Sequence, residues 1–365
     1  MSNFTIADHK YMARALKLAK KGQFSSHPNP RVGCVIVIED KIIGEGWHQS
    51  FGEPHAEINA LSSATQSVAG ATVYVNLEPC SHQGKTGPCC KALIKAKVAK
   101  VVVATKDPYK EVSGNGIAAL NDAGIKVLVG LFESEARKLN RGFFSRIEHQ
   151  RPFVRLKVAA SIDGATAMSD GESQWITGPA ARADVQKLRA SSGAIMTGIG
   201  TINNDDPALT VREKNLVLEQ PLRVLLDSQL QVSPKAKIFH EKGHTRVFCI
   251  NMENRAELES PFVSIVKTKN KDNHVALPEV LYNLAQEGIN DLLVEAGPIL
   301  SGNLLSLGMI DELIIYQAPH VMGSEVKPMF QTPAWTGLAN KQQLVIEDIR
   351  KIGQDFKITA KPVYK

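Results

Sequence analysis

Apolar positions recur at helical spacing over residues 5–21, where Met12, Ala15, Leu16 and Ala19 fall on one face. Thr5 and Asp8 suit a reciprocal cap at the start of this helix, and Gly22 ends it. Two short apolar runs follow, 34–38 and 41–46, joined by Glu39-Asp40, which is a hairpin signal. Pro54 opens a predicted helix that carries His55 and Glu57 and runs to about residue 64. A β-rich run at 72–77 ends in Glu78-Pro79-Cys80. Pro88 occupies a favoured helix-start position, and a helix follows to about residue 97. Runs 101–104 and 126–129 read as buried strands with a helical stretch between them. The order predicts an α/β layered domain, with helices covering a mostly parallel inner sheet.

The pattern breaks at 141–152, a polar stretch ending in Pro152, so the predicted domains are 1–146 and 147–365. Beyond it come a strand at 153–159 and a helix at 179–191 closed by Gly193. Strands follow at 194–197, 223–227, 246–250 and 291–295, with a late β pair at 312–316 and 356–360. This reads as a second α/β domain with its own sheet. The chain has neither an internal repeat nor a low-complexity tract.

Composition narrows the function classes. Of 365 residues, 43% are hydrophobic and 22% charged, enough for two cores. The net charge of +6 is spread along the chain, and aromatics make up only 6%. A nucleic-acid binder would show a dense basic stripe with interleaved aromatics. A small anionic substrate accounts for the mild positive excess, and no nucleic acid is expected as partner. No apolar leader and no stretch of roughly 18 apolar residues is present, so the expectation is a cytoplasmic protein with no membrane partner. In a reducing compartment the five cysteines read as metal ligands or core thiols rather than disulfides.

The chemistry concentrates in Pro54-His55-Ala56-Glu57, Glu78-Pro79-Cys80 and Pro88-Cys89. A catalytic zinc takes three protein ligands, imidazole or thiolate, and keeps a fourth position for water. His55, Cys80 and Cys89 supply those three. A helix start favours negative charge, hence the Cys89 thiolate. Bound zinc lowers the pKa of its water to roughly 7. Glu57, two residues from a ligand, is placed to carry a proton to a ring nitrogen and then to a leaving amine. The pattern follows the nucleobase-deaminase signature of His-x-Glu and Pro-Cys-x-x-Cys, except that eight residues separate Cys80 from Cys89. A closed structural site would need a fourth ligand from Cys90, Cys34 or His82. Cys90 adjoins Cys89 on a helix and points elsewhere, and Cys34 in a strand reads as a small core residue. His82 is either a substrate contact or a surface residue.

Several further segments carry a resemblance: Ser26-His27-Pro28-Asn29-Pro30, Val32-Gly33-Cys34-Val35-Ile36-Val37, Gly46-Trp47-His48, Gly52-Glu53-Pro54-His55-Ala56-Glu57 and Leu77-Glu78-Pro79-Cys80-Ser81-His82. Together with the long Cys–Cys insert they resemble the bifunctional deaminase/reductase of riboflavin biosynthesis. Gly87 departs from that pattern, replacing one of two prolines before the second cysteine. The resemblance implies a cytidine-deaminase-like three-layer domain, and as substrate 2,5-diamino-6-ribosylamino-4(3H)-pyrimidinone 5′-phosphate. It also implies that Asn29 and His48 contact the pyrimidine and that Lys85 faces the phosphate.

Read alone, the second half is less specific. Residues 294–305 run from a strand through a glycine-containing turn into a helix, whose first N–H groups suit a phosphate. Two polar, glycine-rich segments, 161–177 and 198–212, are candidate binding loops. A non-catalytic oligomerisation or regulatory domain is the alternative. All three segments resemble the family's reductase half, with a dihydrofolate-reductase-like fold. That implies NADPH as hydride donor and reduction of the ribosyl side chain to ribityl. The implied cofactor contacts are Ala159, Trp175, Thr201, Asp205, Ser228 and the turn Gly297, Pro298, Ile299, Leu300, Ser301, Gly302 and Asn303. The implied substrate contacts are Ser173, Arg189, Leu209, Arg212 and Glu295. Arg189 and Arg212 suit a phosphate clamp, although without the resemblance a helical arginine like Arg189 is better read as a surface charge. Lys157 on the first strand suits a polariser or proton source near the ribose. Enzymes of this kind are usually homo-oligomers.

Overall fold

A computed structural model describes residues 4–364 other than 82–86, 110–112, 214, 217–218 and 254. The chain divides into two compact units, Met1–Gln150 and Arg151–Lys365.

In the first unit, helix α1 (Ile6–Ala19) starts at a capping box in which Thr5 and Asp8 satisfy each other's backbone N–H groups. Strands β1 (Gly33–Ile38) and β2 (Lys41–Trp47) form the hairpin. Glu39 and Asp40 both take positive φ, 47° and 61°, which matches the twist of a two-residue turn. The chain continues through α2 (Ala56–Ser62), β3 (Thr72–Val75), α3 (Cys89–Lys95), β4 (Lys100–Val103), α4 (Asn115–Asp122), β5 (Lys126–Val129), α5 (Glu133–Leu139) and α6 (Arg141–His149). The sheet order is β2-β1-β3-β4-β5, antiparallel across β1 and parallel from β3 to β5.

Strand alternation makes this unit three-layered. Cys34, Ile36, Val73, Val75, Val101 and Val103 face α2, α3 and α4. Val35, Val37, Tyr74 and Val102 face α1 and α5. Helix α2 lies directly on β2, since a Cβ on Gly46 would stand 2.4 Å from the Ala56 carbonyl. One expectation fails here. Residues 141–149 are helix α6, not a polar connector, and the unit ends at Gln150 rather than 146. The polar residues mask an amphipathic helix that buries Phe143 and Phe144 against Leu77.

The second unit runs β6 (Phe153–Ser161), β7 (Ala165–Met168), α7 (Pro179–Ala190), β8 (Ala194–Gly198), α8 (Ile199–Asp205) and β9 (Leu222–Leu226). Then come β10 (Thr245–Cys249), α9 (Arg255–Leu258), β11 (Val263–Lys267), β12 (Asn270–Lys271), β13 (His274–Val275), α10 (Leu277–Gln286) and β14 (Asp291–Glu295). It closes with α11 (Pro298–Ser306), β15 (Glu312–Ala318), β16 (Val326–Pro328), β17 (Gln343–Ile352) and β18 (Asp355–Val363). Nine strands form one sheet in the order β11-β10-β9-β8-β14-β6-β15-β18-β17. It is parallel from β11 to β15 and antiparallel at β18 and β17. Buried residues lie on both faces, with Val154, Leu156, Met196 and Val294 on one and Ile195, Leu225 and Val247 on the other.

The chain leaves β8 toward β9 on one side and leaves β14 toward β15 on the other. The order therefore reverses between β8 and β14, where α8 and α11 begin. Open α/β sheets bind ligands beyond the carboxyl ends of the strands at such a reversal. The polar segments 161–177 and 198–212 are not simple loops: one contains β7, which pairs with β16, and the other begins as α8.

Candidate active sites

In the first unit four side chains converge beyond β2 and β3. His55 is not inside α2 but caps it, with extended backbone (φ −70°, ψ 165°). Its carbonyl accepts the Asn59 N–H at 3.0 Å, as an N-cap residue's does. Glu57 lies in the first turn and is 3% exposed. Cys80 follows β3, and Cys89 is the first residue of α3.

His55 Nδ1 stands 3.3 Å from Cys89 Sγ and 3.6 Å from Cys80 Sγ. Donor atoms on a tetrahedral zinc, with bonds of about 2.0–2.3 Å, stand about 3.5 Å apart. One imidazole and two sulfurs at this spacing fit zinc. Among the described residues, it is the one group of three or more such side chains close enough to share an ion. The Cys89 N–H at the start of α3 donates to Cys80 Sγ at 3.3 Å. Cys34 and Cys90 are buried in the core instead.

Electrostatics distinguish the members. The hydrogen bond with Cys89 lowers the Cys80 thiol to about 4, helped by His55 against the effect of burial. That same bond, and burial, raise Cys89. Burial first, then the Cys80 charge, push the Glu57 carboxyl up to about 7. A carboxyl held there can both accept and release a proton near neutrality.

Asn29 and His48 are joined beside this group. His48 is 2% exposed, and its ring meets that of His55 edge-on at 5.5 Å. Burial lowers its pKa, favouring the neutral ring. The Pro54 carbonyl can only accept, so His48 Nδ1 donates to it at 3.3 Å. Nε2 then accepts from Asn29 Nδ2 at 3.0 Å, which leaves the Asn29 oxygen as an acceptor. Lys85 lies outside the described residues.

In the second unit Lys157 and Glu295 are ladder partners on β6 and β14. Arg189, from α7, grips both Glu295 oxygens through Nε at 2.6 Å and Nη2 at 3.0 Å, and donates to the Thr210 carbonyl at 2.9 Å. It is therefore a buried ion-pair partner, not a surface charge. Burial pushes Glu295 up, but Arg189, with Lys157 and Arg212, holds it below the usual carboxylate range. Burial lowers the Lys157 pKa, with Glu295 opposing the shift and Arg189 adding to it.

Around this trio, Ala159 lies one pleat beyond Lys157 on β6. A Cβ built on Gly297 would stand 4.0 Å from the Thr201 hydroxyl, so the starts of α8 and α11 are neighbours. Ser173 donates to Asp205 at 2.8 Å, tying segment 161–177 to α8. Trp175 is 64% exposed, with the Arg182 guanidinium 4.7 Å from its ring centre. Ser228 follows β9, and its hydroxyl accepts the Val275 N–H. Leu209 is buried at a positive φ of 48°, and Arg212 is exposed. Helical geometry divides the 297–303 turn. Gly297, Ile299 and Asn303 are exposed, whereas Ser301 and Gly302 are buried. A Cβ on Gly302 would stand 1.9 Å from the Gln331 carbonyl, so this glycine serves close packing.

Residues 5–105 match the family described as cytidine and deoxycytidylate deaminase zinc-binding region, and residues 152–358 match the RibD C-terminal domain. The riboflavin biosynthesis protein RibD of Escherichia coli is 47% identical over 359 residues, covering 95% of this chain and 97% of that protein. The chain belongs to the RibD family. The Haemophilus influenzae RibD is 44% identical over 373 residues, covering 99% of both chains. The structure of Acinetobacter baumannii RibD, form 1, superposes with a TM-score of 0.92 at 43% identity, covering 98% of this chain and 99% of that one. A Thermotoga maritima diaminohydroxyphosphoribosylaminopyrimidine deaminase/5-amino-6-(5-phosphoribosylamino)uracil reductase superposes at 0.88 with 33% identity, over 98% and 99%.

Membership makes this chain a bifunctional deaminase/reductase of riboflavin biosynthesis, with a zinc-binding deaminase half and an NADPH-using, dihydrofolate-reductase-like half. Its hydrolase and oxidoreductase activities act on a small pyrimidine. Two further residues hold backbone beside these motifs. Asn59 donates to the Trp47 and Pro54 carbonyls, holding the turn between His48 and His55. Glu78 stands two residues before Cys80, and its proximity in the motif was the available signal.

Proposed function

We propose that the first unit deaminates 2,5-diamino-6-ribosylamino-4(3H)-pyrimidinone 5′-phosphate and that the second then reduces the ribosyl side chain to ribityl. The convergence of His55 Nδ1 and two sulfurs, at 3.3 and 3.6 Å, beside the buried Glu57 carboxyl carries the first step. His55, Cys80 and Cys89 hold the zinc, which when bound supplies an acidified water as nucleophile. Glu57 would relay two protons in turn, one to the ring nitrogen as the hydroxyl adds to the ring carbon and a second from that hydroxyl to the amine, which leaves as ammonia. Asn29, oriented by His48, accepts a hydrogen bond from the pyrimidine.

In the second unit, Thr201, Asp205, Ser228 and the exposed residues of the 297–303 turn hold NADPH, with its phosphates at the α11 start. Ala159 and Trp175 complete the cofactor contacts. With NADPH as the hydride source, Lys157 would supply the proton that completes reduction of the open-chain aldehyde or imine form of the ribosyl group, and Glu295 and Arg189 would contact the substrate beside it. Arg212, exposed where Arg189 is engaged, takes the substrate phosphate, with Ser173 and Leu209 as further contacts.

Release of ammonia from the diaminopyrimidine phosphate by zinc-loaded protein, and NADPH oxidation by the deaminated product, test the two halves separately. No helix among the described residues is long and apolar enough to cross a membrane. A cytoplasmic enzyme acting as a homo-oligomer accords with the edge strand β17, which exposes Leu344, Val345, Ile346 and Ile349. Size-exclusion chromatography with light scattering decides the oligomeric state.

A further inference from the structure

We propose that Glu78 is a positioning residue that sets Cys80 toward the metal, resting on the ligand set above. Its carboxylate is 4% exposed. One oxygen accepts the N–H groups of Gly116 at 3.0 Å and Ile117 at 3.3 Å; the other accepts those of Asp107 at 3.2 Å and Gly114 at 3.0 Å. Its own N–H donates to the Thr105 carbonyl at 3.0 Å. A buried carboxylate needs such compensation, and charge-assisted bonds from a helix start provide it. The donors come from α4 and the segment before it, so the carboxylate is bonded to the backbone rather than offered to an ion.

A second, independent contact acts on the next residue. A Cβ on Gly116 would stand 2.0 Å from the Pro79 carbonyl, so α4 abuts the peptide that leads into Cys80. The Cys80 carbonyl accepts the Cys90 N–H at 3.2 Å. Thus α4 fixes Glu78 and Pro79 from one side, while α3 fixes Cys80 from the other. The next helix, α3, and the more distant α4 together set the direction of one ligand.

The test is Glu78→Gln in the full chain, with Gly116→Ala as a second variant acting through a different atom. Gln turns an N–H donor against two backbone donors, and Ala forces the Pro79 carbonyl to move. Zinc affinity by competition with a chromogenic chelator should fall about 10–100-fold in each, the cost typical of groups that orient metal ligands. The visible spectrum of the cobalt-substituted protein should change, while NADPH oxidation with the deaminated product stays at the wild-type rate. Wild-type zinc affinity and an unchanged cobalt spectrum in both variants would overturn the proposal. So would loss of the first unit's fold in both, since the clamp would then support the fold rather than the cysteine. Failure of the underlying reading looks different: His55→Ala would then hold zinc as tightly as wild type.

Discussion

The two units solve the same problem, holding a reactive group beside a small pyrimidine, in opposite ways. In the first, the chemistry is in side chains packed into three short motifs, with donor atoms 3.3 and 3.6 Å apart. In the second, it is spread over β6, α7, α8, β9, β14 and the start of α11. Its described contacts include the part-buried ion pair of Arg189 and Glu295. A metal site needs particular atoms within a few ångströms. A dinucleotide brings its own hydride, so the protein there contributes shape, phosphate-binding backbone and a proton. Side-chain substitution should therefore be decisive in the first site, and packing or charge balance should matter more in the second.

The largest effect expected is on Glu57→Gln. Deamination should fall by about 10²–10⁴-fold, with zinc content and NADPH oxidation of the deaminated product unchanged, as read by ammonia release, metal analysis and absorbance at the nicotinamide band. If reduction fell with it, the two sites would not be independent. Next is Glu295→Ala, which leaves Arg189 and Lys157 without their carboxylate in a half-buried cluster. Breaking such a pair costs about 3–5 kcal/mol, so denaturant unfolding of the second unit should shift while the first unit's transition stays in place. An unshifted second transition would mean that Glu295 matters only for chemistry.

Gly302→Ala should destabilise the second unit by about 1–3 kcal/mol through overpacking against Gln331. Gly87→Ala, whose Cβ meets nothing within 4 Å, should be neutral. Equal melting temperatures for the two variants would contradict the packing role of Gly302. The smallest effect is pH-dependent. Burial would raise Asp8, but hydrogen bonds from the Thr5 backbone, Lys100 and Tyr74 outweigh it and lower its pKa from 3.8 to about 2. A carboxyl depressed in the folded state stabilises above its unfolded value and loses that contribution as pH falls from about 4 to about 2. Acid titration of the first unit's stability should flatten in that window in Asp8→Asn.

Legibility followed the same division. His55, Glu57, Cys80 and Cys89 were readable because each ligand type is chemically distinctive and two follow prolines at element starts. Arg189 and Glu295 were each named through the resemblance, but their pairing was not readable, because it spans 106 residues and joins a helix to a strand. Glu78 was hidden for the same reason, since its donors at 107–117 belong to elements with no motif of their own. The edge strand β17 escaped because its apolar residues Leu344, Val345, Ile346 and Ile349 do not alternate and remain exposed. Helix α6 escaped because its polar composition concealed the two buried phenylalanines.

Residue types and spacing alone pointed to two α/β halves, to His55, Cys80 and Cys89 as a group that could hold a metal and, by resemblance, to a deaminase/reductase. These rest on local periodicity and on donor chemistry, which a short window of chain carries in full. Folding decided the rest: that His55 caps its helix, that Arg189 is an ion-pair partner, that Gly302 packs against backbone, and that α4 holds the turn into Cys80. Each depends on which distant segments come within hydrogen-bonding or van der Waals reach, and only the packed chain brings them there.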